Sequence, residues 1–219
     1  MPGARIVAVS TGLVRPLPAG GGPSASAIDK RPVAGPVEVG PLGLAGDEHG
    51  DLENHGGVDQ AVYAYAREDL DWWTERLGRE LRDGAFGENV TTCGLDVSGA
   101  LIGETWRLGE VVVQVTAPRI PCVTFQAWTD EEHWVRRFAA AGRPGAYLRV
   151  LAGGRLQAGD AVEVLGRPEP RITVAEAMRA YYGDAGLLAV LLTVPGRAGK
   201  WDAIAGRVLP GTAAAEAEG

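Results

Sequence analysis

The sequence predicts a mainly β chain of α+β class: a β-barrel of short strands with inserted helices, followed by a small three-helix appendage. Three observations carry this. Short β-branched or alternating runs recur with turn residues between them. Glycine is abundant, at 32 of 219 residues, roughly twice the ~7% of an average protein, which implies many turns. After Leu165 the pattern changes from strand-like to helical.

The elements follow in order. Residues 5–9 (RIVAV) read as a first strand, and residues 17–26, with three consecutive glycines, as a mobile loop. Pro32 and Pro36 make residues 30–39 an extended segment at a sheet edge. Residues 61–65 (AVYAY) are a candidate strand. Residues 67–77 form an amphipathic helix with Leu70, Trp73 and Leu77 on one face. Strand-like runs lie within 86–93, at 106–108 and at 111–116, where Val113 and Val115 share a side and Val112 and Gln114 take the other. Residues 128–141 read as one helix, and 146–151 and 161–165 as closing strands. Residues 166–170 form a linker. Thr173 and Glu176 then fit a capping box opening the first of three helices, at 173–182, 185–194 and 198–209. The expected division is a barrel domain over 1–166, the appendage over 167–210 and a flexible tail over 211–219.

Composition narrows the function. A formal net charge of −7 argues against a nucleic-acid polymer as partner, which needs a basic footprint. The longest apolar stretch, residues 187–194, is far shorter than the ~20 residues that span a bilayer, so no membrane partner is expected. The N-terminus lacks a signal peptide pattern. Two cysteines, Cys93 and Cys122, make no disulfide scaffold, and a cytoplasmic location is the expectation.

Three constellations carry chemistry. The first, residues 46–59, holds His49, His55 and five carboxylates. Asp47, His49, Asp51 and His55 are metal ligands by type, but their spacing matches no strong zinc pattern, and a solvated turn is the commoner reading. Gly56-Gly57 before Asp59 is suited to a backbone nest for an anion. The second is Gly87-Glu88-Asn89, either a capped turn or a ligand contact. In the third, Arg119 stands three residues before Cys122 in a turn stiffened by Pro118 and Pro121. A nearby guanidinium favours thiolate, although a lone cysteine is also a common small apolar core residue. No nucleophile elbow or dinucleotide fingerprint is present. His133 is expected on an exposed helix surface, and Trp72-Trp73 as partial core.

Together, Leu44-Ala45-Gly46-Asp47, His55-Gly56-Gly57-Val58-Asp59-Gln60-Ala61-Val62-Tyr63, Gly87-Glu88-Asn89 and Pro118-Arg119-Ile120-Pro121-Cys122 resemble the MOSC superfamily, named after the C-terminal domain of molybdenum-cofactor sulfurase. The helical region after Arg171 is similar to the appendage of its YiiM-like, 6-hydroxylaminopurine reductase branch. The resemblance implies a MOSC-type barrel that binds a molybdenum cofactor (molybdopterin), with Cys122 as thiolate ligand to the metal. It also implies Lys30, Arg31, Gly56, Gly57, Gly87, Glu88, Asn89 and Arg119 around the cofactor, and Asp59 or His55 as proton relays. Relatives commonly carry Lys where this chain has Gln60. The implied activity is reduction of a small N-hydroxylated substrate, with electrons from a separate electron-donating reductase. The alternatives are a sulfur carrier using a Cys122 persulfide and a cofactor-binding protein without catalysis. At superfamily level alone the resemblance also implies pyridoxal phosphate binding.

Overall fold

The computed structural model describes residues 3–17, 25–48 and 56–209. The strands are β1 (Arg5–Thr11), β2 (Arg15–Pro16), β3 (Ala25–Ser26), β4 (Arg31–Pro32), β5 (Val37–Gly40), β6 (Gly43–Leu44), β7 (Val62–Ala66), β8 (Val90–Cys93), β9 (Thr105–Leu108), β10 (Val111–Pro118), β11 (Ala146–Ala152), β12 (Gly154–Leu156) and β13 (Val162–Gly166). The helices are α1 (Arg67–Leu77), α2 (Val123–Thr129), α3 (Trp134–Ala141), α4 (Val174–Tyr181), α5 (Ala185–Leu192) and α6 (Lys200–Val208). A short 3-10 turn, Val58–Gln60, precedes β7.

Eight strands form one sheet in the order β13-β9-β10-β11-β7-β8-β1-β4. All described pairings are antiparallel except β7 with β8, which are parallel and joined through α1, as parallel neighbours require. The class is α+β as expected, but the expected closed barrel is not formed by a continuous ladder. One edge of β1 pairs with β8, while its other edge is divided. Near Arg5 it meets the residue before β13 through an isolated bridge to Ala161, and at Ser10 and Thr11 it pairs with β4. Pro32 in β4 then offers no N–H at that edge.

The sheet has two apolar faces because side chains alternate along each strand. Val62, Ala64, Val113, Val115 and Leu148 join a cluster shared with Ala177, Leu188 and Trp201 of the C-terminal helices. Tyr63 and Tyr65 point to the opposite, aromatic cluster with Trp73, Phe86, Phe125, Trp134 and Phe138. The C-terminal helices are thus packed on the sheet rather than on one another alone. The capping box forms as expected: Glu176 N–H donates to Thr173 Oγ1 at 3.1 Å, and Thr173 N–H to Glu176 Oε2 at 2.8 Å.

The helix expected over 128–141 is corrected to two. Asp130 ends α2 with a left-handed backbone (φ 54°), and His133 begins α3 likewise (φ 56°). Two left-handed residues interrupt the hydrogen-bond ladder, and the break lets Phe125 and Phe138 pack ring to ring at 5.0 Å. His133 is exposed, as expected. Among the described residues no helix is long and apolar enough to cross a membrane.

Candidate functional site

The strand register assembles the site. Pro118 of β10 faces Ala146, which faces Ala64, which is paired with Val90. The turn after Pro118, the approach to Ala146 and the Gly87–Asn89 turn therefore meet in one row of the sheet. Arg119 turns into the aromatic face and is buried at 7% exposure. Its Nη1 donates to the Phe86 carbonyl at 2.8 Å. Its guanidinium lies 4.2 Å from the Phe125 ring centre and 5.1 Å from that of Tyr63. Burial works against this charge, but Tyr147, Tyr63, Cys122 and Glu88 outweigh it, and the Arg119 pKa is raised. Gly87 makes the approach possible. It has φ 78°, and a Cβ there would lie 3.0 Å from Ile28 and 3.4 Å from the Arg119 guanidinium.

Cys122 caps the start of α2 with extended backbone and is half-buried at the margin of the aromatic cluster. It is not joined to Cys93 by a disulfide.

Lys30 and Asn89 belong to a second polar cluster. Lys30 is buried and ion-paired with Asp47. Burial lowers its pKa, Asp47 opposes that shift, and Arg119 adds to it. Asn89 donates to Asp47 Oδ2 at 2.8 Å and accepts from the Tyr63 N–H at 3.1 Å. Glu88 is fully buried and serves its own turn, accepting from Gly84 N–H at 2.6 Å, Phe86 N–H at 2.9 Å and Thr91 at 3.2 Å. Burial raises its pKa against those bonds. Arg31 is exposed and paired with Asp29. Gly56 and Gly57 have φ of 115° and 77°, and nothing lies within 4 Å of a Cβ placed on Gly57.

Asp59 stands apart from these groups. Its Oδ1 accepts from Arg149 Nε at 2.9 Å and Nη2 at 2.5 Å, and its Oδ2 from Gly199 N–H at 2.8 Å. It therefore ties the turn before β7 to the start of α6. His55, His49 and Asp51 lie outside the described residues. The structure also gathers residues that motif reading missed. Tyr147 sits 5.1 Å from the Tyr63 ring, and Lys200 Nζ lies 5.6 Å from the Tyr147 ring centre. Sequence carries one signal for Lys200: it is one of only two lysines in the chain.

The structure thus sets Cys122 at a sheet-end turn, with the buried Arg119 guanidinium and the Gly87 turn packed beside it. The chain belongs to the MOSC domain family, which matches over residues 51–163. It is 42% identical over 158 residues to the uncharacterized protein YflK of Bacillus subtilis (strain 168), covering 72% of each chain. It is 34% identical over 182 residues to a protein named Reductase from Gibberella moniliformis (strain M3125 / FGSC 7600), covering 80% of this chain but 32% of that longer one. Its fold is similar to the crystal structure of YiiM from Geobacillus stearothermophilus, with TM-score 0.77, 28% identity and coverage of 94% and 99% of the two chains. It is a YiiM-like MOSC protein.

Proposed function

We propose that the protein is a molybdenum-cofactor-dependent reductase of small N-hydroxylated compounds, such as 6-hydroxylaminopurine, with Cys122 as the protein ligand to the metal. The observation that carries this reading is the pairing of half-buried Cys122 with the buried Arg119 cation in a MOSC chain. The donor set fits the group. Among the described residues no cluster of three or more His, Cys, Asp or Glu is able to cage a bare metal ion. A metal that arrives with its own dithiolene sulfurs needs only one soft thiolate from the protein.

When bound, the cofactor supplies the two-electron redox chemistry. The chain's residues do the rest. Cys122 would hold the metal, and Arg119 keeps positive charge beside it for an anionic ligand; Lys30 is already ion-paired with Asp47. Asp59, bound to Arg149 and Gly199, acts by positioning α6. An electron-donating reductase supplies the electrons.

The test is turnover of 6-hydroxylaminopurine to the amine by protein made in a cofactor-competent host, with a low-potential chemical reductant. The expected result is turnover by the native chain and its loss in Cys122→Ala. Absence of turnover together with cyanide-releasable sulfur on Cys122 would instead favour a sulfur carrier.

A further inference from the structure

Of the 21 cationic Lys and Arg side chains, 19 are arginines, and lysine stands only at 30 and 200. Lys30 is neutralised by Asp47. Lys200 has no ion pair among the described residues; its ammonium lies against the Tyr147 ring instead. The charged and titratable groups around it are otherwise committed. Asp59, from the turn before β7, binds Arg149 of β11 and the Gly199 N–H. Arg197, from the preceding loop, pairs with Asp202 of α6 at 2.6 Å. The start of α6 is pinned to the sheet, with Ala198 N–H donating to the Thr116 carbonyl at 3.2 Å and Trp201 Nε1 to the same oxygen at 3.3 Å. The backbone that carries Lys200 is therefore held in place. Tyr147, beneath it, packs with Cys122 at the margin of the aromatic cluster and lies within electrostatic reach of Arg119 and Cys122.

Two general preferences oppose an ammonium here: burial, and the positive end of a helix dipole. Burial lowers the Lys200 pKa to about 8, with Asp59 opposing. Arginine, the cation used nearly everywhere else in this chain, is unable to release a proton at such a pH. Lysine is able to.

We infer that Lys200 is a proton-donating residue of the Cys122 site, supplied by the C-terminal helices across the Tyr147 ring. This rests on the N-hydroxyl reductase reading. There, R–NHOH plus two electrons and two protons gives R–NH2 plus water: the N–O bond breaks and an N–H bond forms. The electron pair comes from the electron-donating partner. Lys200 gives one proton to the departing oxygen and regains it from water, and the proton on nitrogen comes from solvent.

The first arm of the test needs no activity. A Cys93→Ser chain, reductively methylated with ¹³C-formaldehyde, reports Lys30, Lys200 and the terminal amine as separate NMR signals, with Lys200→Arg assigning the second. Iodoacetate on Cys122 places a carboxylate in the site, and iodoacetamide a neutral amide of similar size. The Lys200 midpoint is expected to rise by roughly half a pH unit or more with the carboxylate but not with the amide. The same midpoint in both adducts removes Lys200 from the site.

The second arm uses cofactor-loaded protein. Lys200→Arg is expected to lower kcat by about tenfold or more with little change in KM, and to flatten the alkaline fall of kcat. A KM rise alone in Lys200→Met, restored by Lys200→Arg, would make the side chain an anion anchor and overturn the proton-donor role. Inert N-hydroxylated substrates with the carboxylate-dependent shift intact would overturn the reductase reading while upholding Lys200's place in the site.

Discussion

Lys200 shows how much a single residue's charge costs the fold. Its ammonium is half-buried, and burial lowers its pKa from 10.5 to about 8. The unfolded chain therefore binds the proton more tightly between those two values. In that window the unfolded state carries more protons, so stability rises with pH. Below about pH 8 the folded state bears the full cost, and above about 10.5 it bears none. Lys200→Met is thus expected to stabilise the protein at pH 7 by roughly 1–3 kcal/mol, with the gain vanishing by about pH 10.5. Denaturant unfolding of both chains across that range checks this; an equal gain at every pH would contradict it. Arg119 is the contrasting case. Its burial is offset by Tyr147, Tyr63 and Cys122, so its charge is retained.

Single elements are set by a few close approaches. Gly145, just before β11, has φ 65°, and a Cβ there would stand 2.5 Å from Tyr65 Cδ2, 2.7 Å from the Ala64 carbonyl and 2.9 Å from Tyr63 Cε2. That approach lets β11 lie on β7, and lets Tyr63 and Tyr65 donate to the Pro144 and Arg143 carbonyls, each at 2.8 Å. Gly145→Ala therefore meets both a strained backbone and backbone atoms that have no room to yield. We expect a loss of roughly 2–4 kcal/mol and a weakened contact between Tyr147 and Tyr63. Thermal unfolding and near-UV circular dichroism measure the two effects; a near-native transition temperature would show that β11 has slack.

For the molecule as a whole, local patterns were legible and long-range gathering was not. The span of α1 and the capping box of α4 could be read directly, because helix faces and caps are local properties. The alternation of Val113 and Val115 against Val112 and Gln114 in β10 was equally plain. The break at Asp130 escaped detection because neither Asp130 nor His133 is a glycine that would announce a left-handed backbone. The open ladder escaped because strand order depends on which edge of β1 each distant segment reaches. At the site, the Arg119–Cys122 turn and the two glycine turns were visible as motifs. Tyr147 and Lys200 were not, since they are 25 and 78 residues from Cys122 in sequence and meet only through the sheet and the docking of α6.

The central claim is that Cys122 holds a molybdenum cofactor. Its most direct test is molybdenum and pterin content in protein from a cofactor-competent host, native beside Cys122→Ala, with both chains shown to be folded by their far-UV spectra. The account predicts near-stoichiometric molybdenum and pterin in the native chain and a strong loss of bound metal in the variant. No metal in the native chain, or equal metal in both, would contradict it.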